Sequence, residues 1–196
     1  MIEIEKNFDL RDGEKEKLID GAVFLVGKQF TDVYYDNRDL EPSLKDYWLR
    51  TRDSKWELKV PLNPDKEENR KTDQYRELET EREIIEALGF SFESLSDELK
   101  QKGFEPLATI TTKRESYERD GFHIDFDEAD FGYSTCEIEY MIEDASQISL
   151  AENKIITFAE ILGLSNAKGK GKLTVYLERF KKGEYIKLVD AGIIRR

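Results

Sequence analysis

Four charge-x-charge doublets constrain this chain most: Glu3-x-Glu5, Arg50-x-Arg52, Asp125-x-Asp127 and Glu137-x-Glu139. Side chains alternate across a strand, so each doublet puts two like charges on one face, about 7 Å apart. Like charges so placed oppose folding unless something neutralises them. The residues between and beside them include Ile2, Ile4, Ile124, Phe126 and Ile138, so the opposite face of these strands wants burial. Two arrangements satisfy both demands. An open sheet can pack its apolar face on helices and wet its charged face, the usual fate of a charged strand face. Alternatively the sheet closes into a barrel, helices cover the outside, and the charges line the lumen. The pattern leaves both open.

The residues from Asp46 to Lys59 read as a hairpin turning at Asp53-Ser54. Trp48, Arg50 and Arg52 share one face, and Leu49 and Thr51 the other. On the return strand Glu57 and Lys59 lie opposite Trp56 and Leu58. Further strands are expected over 2–8, 22–36 with an interruption near Gly27, 72–79, 107–117, 121–127, 134–142 and 172–178. Helices are expected over 14–20, after the capping box Thr80-Glu81-Arg82-Glu83, over 94–102, after a second capping box Ser149-Leu150-Ala151-Glu152, and over 180–191. That makes eight or nine strands, four or five short helices, and no visible boundary within a single domain over 1–196. The charge run 65–70 and the tract Lys168-Gly169-Lys170-Gly171-Lys172 read as solvated loops, Lys172 excepted.

Charged and hydrophobic residues each make up 38% of the chain. Eleven Phe and nine Tyr are nevertheless too many for a disordered chain. The net charge of −12 argues against nucleic acid or an anionic membrane as partner. Met1 runs directly into an acidic strand, and no apolar stretch approaches the ~20 residues of a spanning helix. The expectation is a cytoplasmic monomer. The single Cys136 excludes a disulfide or a cysteine metal cage, and Ile142 stands where a cysteine phosphatase needs arginine. Gly163 and Gly169 have the wrong spacing for a P-loop. The remaining chemistry is ionic. Carboxylates in this number suit a hard divalent cation, and Arg50, Arg52, Lys59, Arg114 and Lys172 suit phosphate groups. His123 reads as exposed or locally hydrogen-bonded.

Ile2-Glu3-Ile4-Glu5-Lys6-Asn7-Phe8 resembles the acidic N-terminal signature Glu-x-Glu-x-Lys of the CYTH superfamily, the triphosphate tunnel metalloenzymes. The likeness continues through 33–36, 47–52, 56–59, 112–114, 125–133, Glu137-Ile138-Glu139 and 172–180. It is nearest to the animal members that act on thiamine triphosphate. The resemblance implies an α+β, mainly β fold: an eight-stranded antiparallel closed β-barrel, a tunnel with peripheral helices, binding a small-molecule triphosphate. It implies Mg²⁺, with Mn²⁺ the alternative, held by Glu3, Glu5, Asp125, Glu137 and Glu139. By the same resemblance Arg50, Arg52, Lys59, Arg114 and Lys172 grip the triphosphate, with Asp125 and Glu137 also at the substrate. Trp48 stacks on thiamine, and Tyr34 with Lys59 helps activate the attacking water. Asn7 stands at the signature's lysine position. Lys6, one residue earlier, is expected to point outward unless the strand bulges.

Overall fold

A computed structural model describes residues 1–62, 70–91, 94–165 and 168–195. Its strands are β1 (Ile2–Phe8), β2 (Val23–Asp36), β3 (Trp48–Arg52), β4 (Lys55–Pro61), β5 (Asp73–Leu78), β6 (Glu105–Arg119), β7 (Phe122–Ala129) and β8 (Tyr133–Ile142). They close an antiparallel barrel in the order β1-β5-β4-β3-β2-β6-β7-β8. Closure rules out the open sheet and leaves no free edge. It depends on β1, which pairs with β5 on one side and β8 on the other. The helices are α1 (Glu14–Ile19), α2 (Glu81–Leu88), α3 (Leu95–Gln101), α4 (Ile148–Ile161), α5 (Lys172–Phe180) and α6 (Lys182–Asp190). No helix among the described residues is long and apolar enough to cross a membrane.

The alternating strands sort their side chains as the doublets require. Ile4, Ile124 and Ile138 face outward and are buried with Ile155, Phe158 and Ala159 of α4. Leu49 and Leu58 of the organising hairpin are buried with Ile84, Leu95 and Leu99 of α2 and α3. The hairpin turns through Asp53 and Ser54, both at positive φ (47° and 71°). That is the primed geometry which matches strand twist. Neither residue is glycine, and Asp53 Oδ1 accepts the Thr31 N–H at 3.0 Å to hold it.

Three local expectations need correction. Residues 172–178 form α5, not a strand. Val175 and Tyr176 favour strands, but Leu173 and Tyr176 recur at helical spacing and pack on Tyr34, Ala108, Ile110 and Ala129. These four carry the parity of the lumen, so α5 covers an apolar end of the barrel. The second capping box is displaced: α4 already begins at Ile148, after a 3₁₀ turn capped by Asp144. Finally, β2 runs unbroken through Gly27, and its irregularity lies between Phe24 and Val26. Pairing along the long β6 overrides the local glycine. Of the charge run 65–70, residues 65–69 lie outside the described residues, whereas Arg70 pairs with the buried Asp46.

Candidate active site

The inward faces enclose a cavity of about 300 Å³. Every candidate named from the sequence lines it: Glu3 and Glu5 of β1, Tyr34 of β2, Trp48, Arg50 and Arg52 of β3, Lys59 of β4, Arg114 of β6, Asp125 of β7, Glu137 and Glu139 of β8, and Lys172 of α5. Strand register explains the convergence. Glu5 lies directly across from Glu139 and Asn7 from Glu137. On the other side of β8, His123 faces Glu139 and Asp125 faces Glu137. Two carboxylate doublets and a half-exposed imidazole therefore meet on three adjacent strands.

The cations are held by carboxylates. Arg50 bonds Glu57 at 2.7 Å and approaches Glu77 at 3.6 Å. Arg52 forks onto Asp32 at 2.8 and 3.0 Å, with its guanidinium 4.3 Å from the Phe30 ring centre. Lys59 lies 2.7 Å from Glu3 and 2.9 Å from Glu5. Arg114 forks onto Asp127 at 2.6 Å, reaches Glu137 at 2.7 Å and also contacts Asp125. Lys172 bridges Asp127 and Glu137. Burial works against the charge of Arg50, Arg114 and Lys59, yet the carboxylates around them hold all three well above their ordinary pKa values. Lys59 is thus a fixed ammonium. No contact joins it to Tyr34, whose hydroxyl accepts from Arg50 at 3.4 Å.

The carboxylates divide into two kinds. Burial would raise Glu137, but Lys172 and Arg114 hold it well below the usual range. Glu139 is the opposite case: burial, with Glu3, Glu137, Asp125 and Glu5 nearby, pushes its carboxyl well above that range. Glu139 has no ion-pair or hydrogen-bond partner among the described residues. Ligand atoms of Glu3, Glu5 and Glu139 lie within 4.8 Å of one another, and so do those of His123, Asp125 and Glu139. Oxygen donors with excess negative charge fit Mg²⁺ or Mn²⁺, and the imidazole adds a donor that Mn²⁺ accepts more readily than Mg²⁺. His123, read from the sequence as exposed or locally bonded, stands 3.0 Å from Asp125 Oδ1 inside this group.

Sequence reasoning missed several carboxylates that hold the lining cations or the indole in place. Asp127 was visible as half of a doublet, and Asp32 lies two positions from Tyr34 on the same face. Asp46 had no signal. It sits at positive φ (63°) and accepts from Trp48 Nε1 at 2.8 Å and from Tyr75 Oη at 2.9 Å, fixing the indole edge. Asn7 is buried and faces the cavity, as expected, with its Oδ1 3.5 Å from Thr135 Oγ1. β1 is unbulged, so Lys6 faces outward, 3.4 Å from the Lys71 carbonyl. Lys168 does not belong to a solvated loop: it is buried, 2.6 Å from Asp73.

These charges set a pH dependence. Burial raises the carboxyls of Glu5, Asp73 and Glu139, and takes Asp36 to about 6. A raised carboxyl binds its proton more tightly when folded, so its contribution to stability fades as pH climbs through the folded value. Asp32, Asp125 and Glu137 are lowered, and their contribution is lost as pH falls below the ordinary carboxylate range. The metal-free protein is therefore expected to melt at a higher temperature near pH 5 than near pH 8 or pH 3. A melting temperature that rises steadily to pH 8 in chelator would contradict these shifts.

Comparison with known proteins agrees with the geometry. The chain is 31% identical to human thiamine-triphosphatase over 219 aligned positions, covering 100% of this chain and 92% of that protein. It is 30% identical to thiamine-triphosphatase of Macaca fascicularis, covering 98% and 91%. Among solved structures, protein PH1819 of Pyrococcus horikoshii superposes with a TM-score of 0.65 at 21% identity, covering 90% of this chain and 99% of that one, a likeness of fold. A family model described as the CYTH domain matches residues 1–170. With the closed barrel and its inward charges, this places the chain in the CYTH family.

Proposed function

We propose that this protein is a divalent-cation-dependent triphosphatase that releases the terminal phosphate of thiamine triphosphate. The observation that carries the reading is the meeting, in one closed lumen, of Arg50, Arg52, Lys59, Arg114 and Lys172 with more carboxylates than they can neutralise. A polyanion completes the cation set, and Mg²⁺ or Mn²⁺ on Glu3, Glu5 and Glu139, with Asp125 and His123 beside them, completes the carboxylate set. The bound metal supplies charge neutralisation at phosphate oxygens. The chain's own groups do the rest. Forked arginines orient the phosphate chain, and the fixed ammonium of Lys59 offsets charge developing on it. Tyr34, directly across from Arg50 and bonded to it, would help orient the attacking water. The enclosing barrel limits bulk water. Glu137, shared by Arg114 and Lys172, would be released by those cations when phosphate engages them and would be free to help hold the metal.

Trp48 decides the organic group. Its indole N–H is fixed by Asp46, which leaves a ring face at the cavity for a cationic thiazolium. A second reading, inorganic tripolyphosphate as substrate, is favoured by the packing of the same ring against Leu40, Leu177 and Leu188. Phosphate release from thiamine triphosphate, tripolyphosphate and ATP, with Mg²⁺, Mn²⁺ and Ca²⁺, tests both. On the thiamine reading Trp48→Ala lowers kcat/KM for thiamine triphosphate about tenfold or more and leaves tripolyphosphate within about twofold. Equal losses on both substrates would assign Trp48 to packing.

A further inference from the structure

The stretch 168–171, which leads into α5, is clamped to the barrel wall. Gly169 donates its backbone N–H to the Asn7 carbonyl at 2.6 Å. A Cβ on Gly169 would stand 2.9 Å from the backbone N and C of Phe8, so only glycine allows this approach. One residue on, the Tyr133 hydroxyl donates to the Lys170 carbonyl at 2.6 Å. The strap is therefore fixed to the end of β1 and the start of β8. Its three lysines part company. Lys170 reaches along α5 to Glu178 at 2.8 Å. Lys172 enters the cavity at Asp127 and Glu137. Lys168 enters it on the far side of β1 from β8, 8% exposed, with Nζ 2.6 Å from Asp73 of β5.

β1 itself brings no cation to that wall, where Lys59 reaches Glu3 and Glu5 from β4. The inward residues of β1 are Glu3, Glu5 and the neutral Asn7, and Lys6 faces the other way. We propose that Lys168 is a substrate-binding residue: the strap carries its buried ammonium onto the cavity wall beside Asn7 and supplies there a phosphate-binding cation that β1 does not. The inference rests on the triphosphate reading above. A strap anchored by the Gly169 contact gives an ammonium a fixed address without a strand, and an Asp73 carboxylate can yield it to a phosphate oxygen as the other lumen carboxylates yield theirs. The alternative is a purely structural staple between Lys168 and Asp73.

Lys168→Gln separates the two, since the amide keeps a hydrogen bond to Asp73 and loses the charge. With inorganic tripolyphosphate as probe, KM and the calorimetric Kd are expected to rise about tenfold while kcat changes by less than about threefold. Asn7→Lys in the Lys168→Gln background is expected to recover most of that loss, which a structural staple would not. Gly169→Ala, which lifts the strap but keeps Lys168, should raise KM likewise, with thermal denaturation recorded for each variant. An unchanged KM and Kd in Lys168→Gln would overturn the inference, as would a loss that Asn7→Lys leaves uncorrected. Wild-type protein that neither binds nor hydrolyses any triphosphate defeats the triphosphate reading and this inference together. Hydrolysis by wild type with an indifferent Lys168→Gln defeats the inference alone.

Discussion

Arg114→Ala is expected to leave almost no phosphate release and to lower stability by about 3 kcal/mol or more, because it strands carboxylates in a buried place. Arg114 is 8% exposed and, among the described residues, is the one cation that touches Asp125, Asp127 and Glu137 together. The informative companion is Arg114→Lys. It keeps the charge, so stability should fall by only about 1 kcal/mol, but it loses the planar fork that matches a carboxylate or phosphate pair. We expect kcat/KM of the lysine variant to fall about a hundredfold. Steady-state kinetics beside urea denaturation would show it. A lysine variant with wild-type kcat/KM would mean that this site needs charge and not bidentate geometry.

Glu139→Gln should move stability and metal binding in opposite directions. In the metal-free protein Glu139 is crowded by Glu3, Glu5, Asp125 and Glu137, and its carboxyl is held well above the usual range. Glutamine mimics the protonated form, so the gain opens as pH rises past the ordinary carboxylate range, where the unfolded chain ionises, is complete once Glu139 ionises in the folded protein, and is small near pH 5. At pH 8 in chelator we expect the variant to melt a few degrees higher, corresponding to about 1 kcal/mol. The same change removes the oxygen common to both potential metal groups, so Mn²⁺ affinity by calorimetry should fall at least about tenfold. A variant less stable than wild type in chelator, with unchanged Mn²⁺ binding, would remove Glu139 from the metal set.

Both results follow from one feature of the lumen. Without ligands its cations are neutralised by carboxylates that a metal would also use. A triphosphate drawing Arg114 and Lys172 away frees Asp125 and Glu137, so substrate and metal should each raise the affinity for the other. The resting ion pairs keep the barrel closed around charge that would otherwise oppose folding.

Much of this was legible before any coordinates. Period-two alternation assigned Arg50 and Arg52 to one face and Leu49 and Leu58 to the other, and the structure places them so. The capping box at Thr80 marked α2, and its side chain accepts from the Glu83 N–H as expected. Where the sequence misled, a distant partner had overruled a local preference. Val175 and Tyr176 resemble strand residues, but the helical arrangement of α5 is the one that presents Leu173 and Tyr176 to the apolar barrel end. The alternating Gly and Lys of 168–172 carry no hydrophobic period, so the contact of Gly169 with β1 could not be anticipated.

The order of residues alone determined which side chains share a face, because strand geometry permits only two. It also determined that those faces carry more charge than solitary strands bury. Whether that charge met water or an interior was left to the pairing of β1 with β8, residues more than a hundred positions apart. Alternation is a property of neighbours along the chain, whereas closure depends on contacts no neighbour specifies. Tertiary structure therefore decided which acids and bases stand across from one another, which cation the strap delivers, and that the two sets enclose a single cavity.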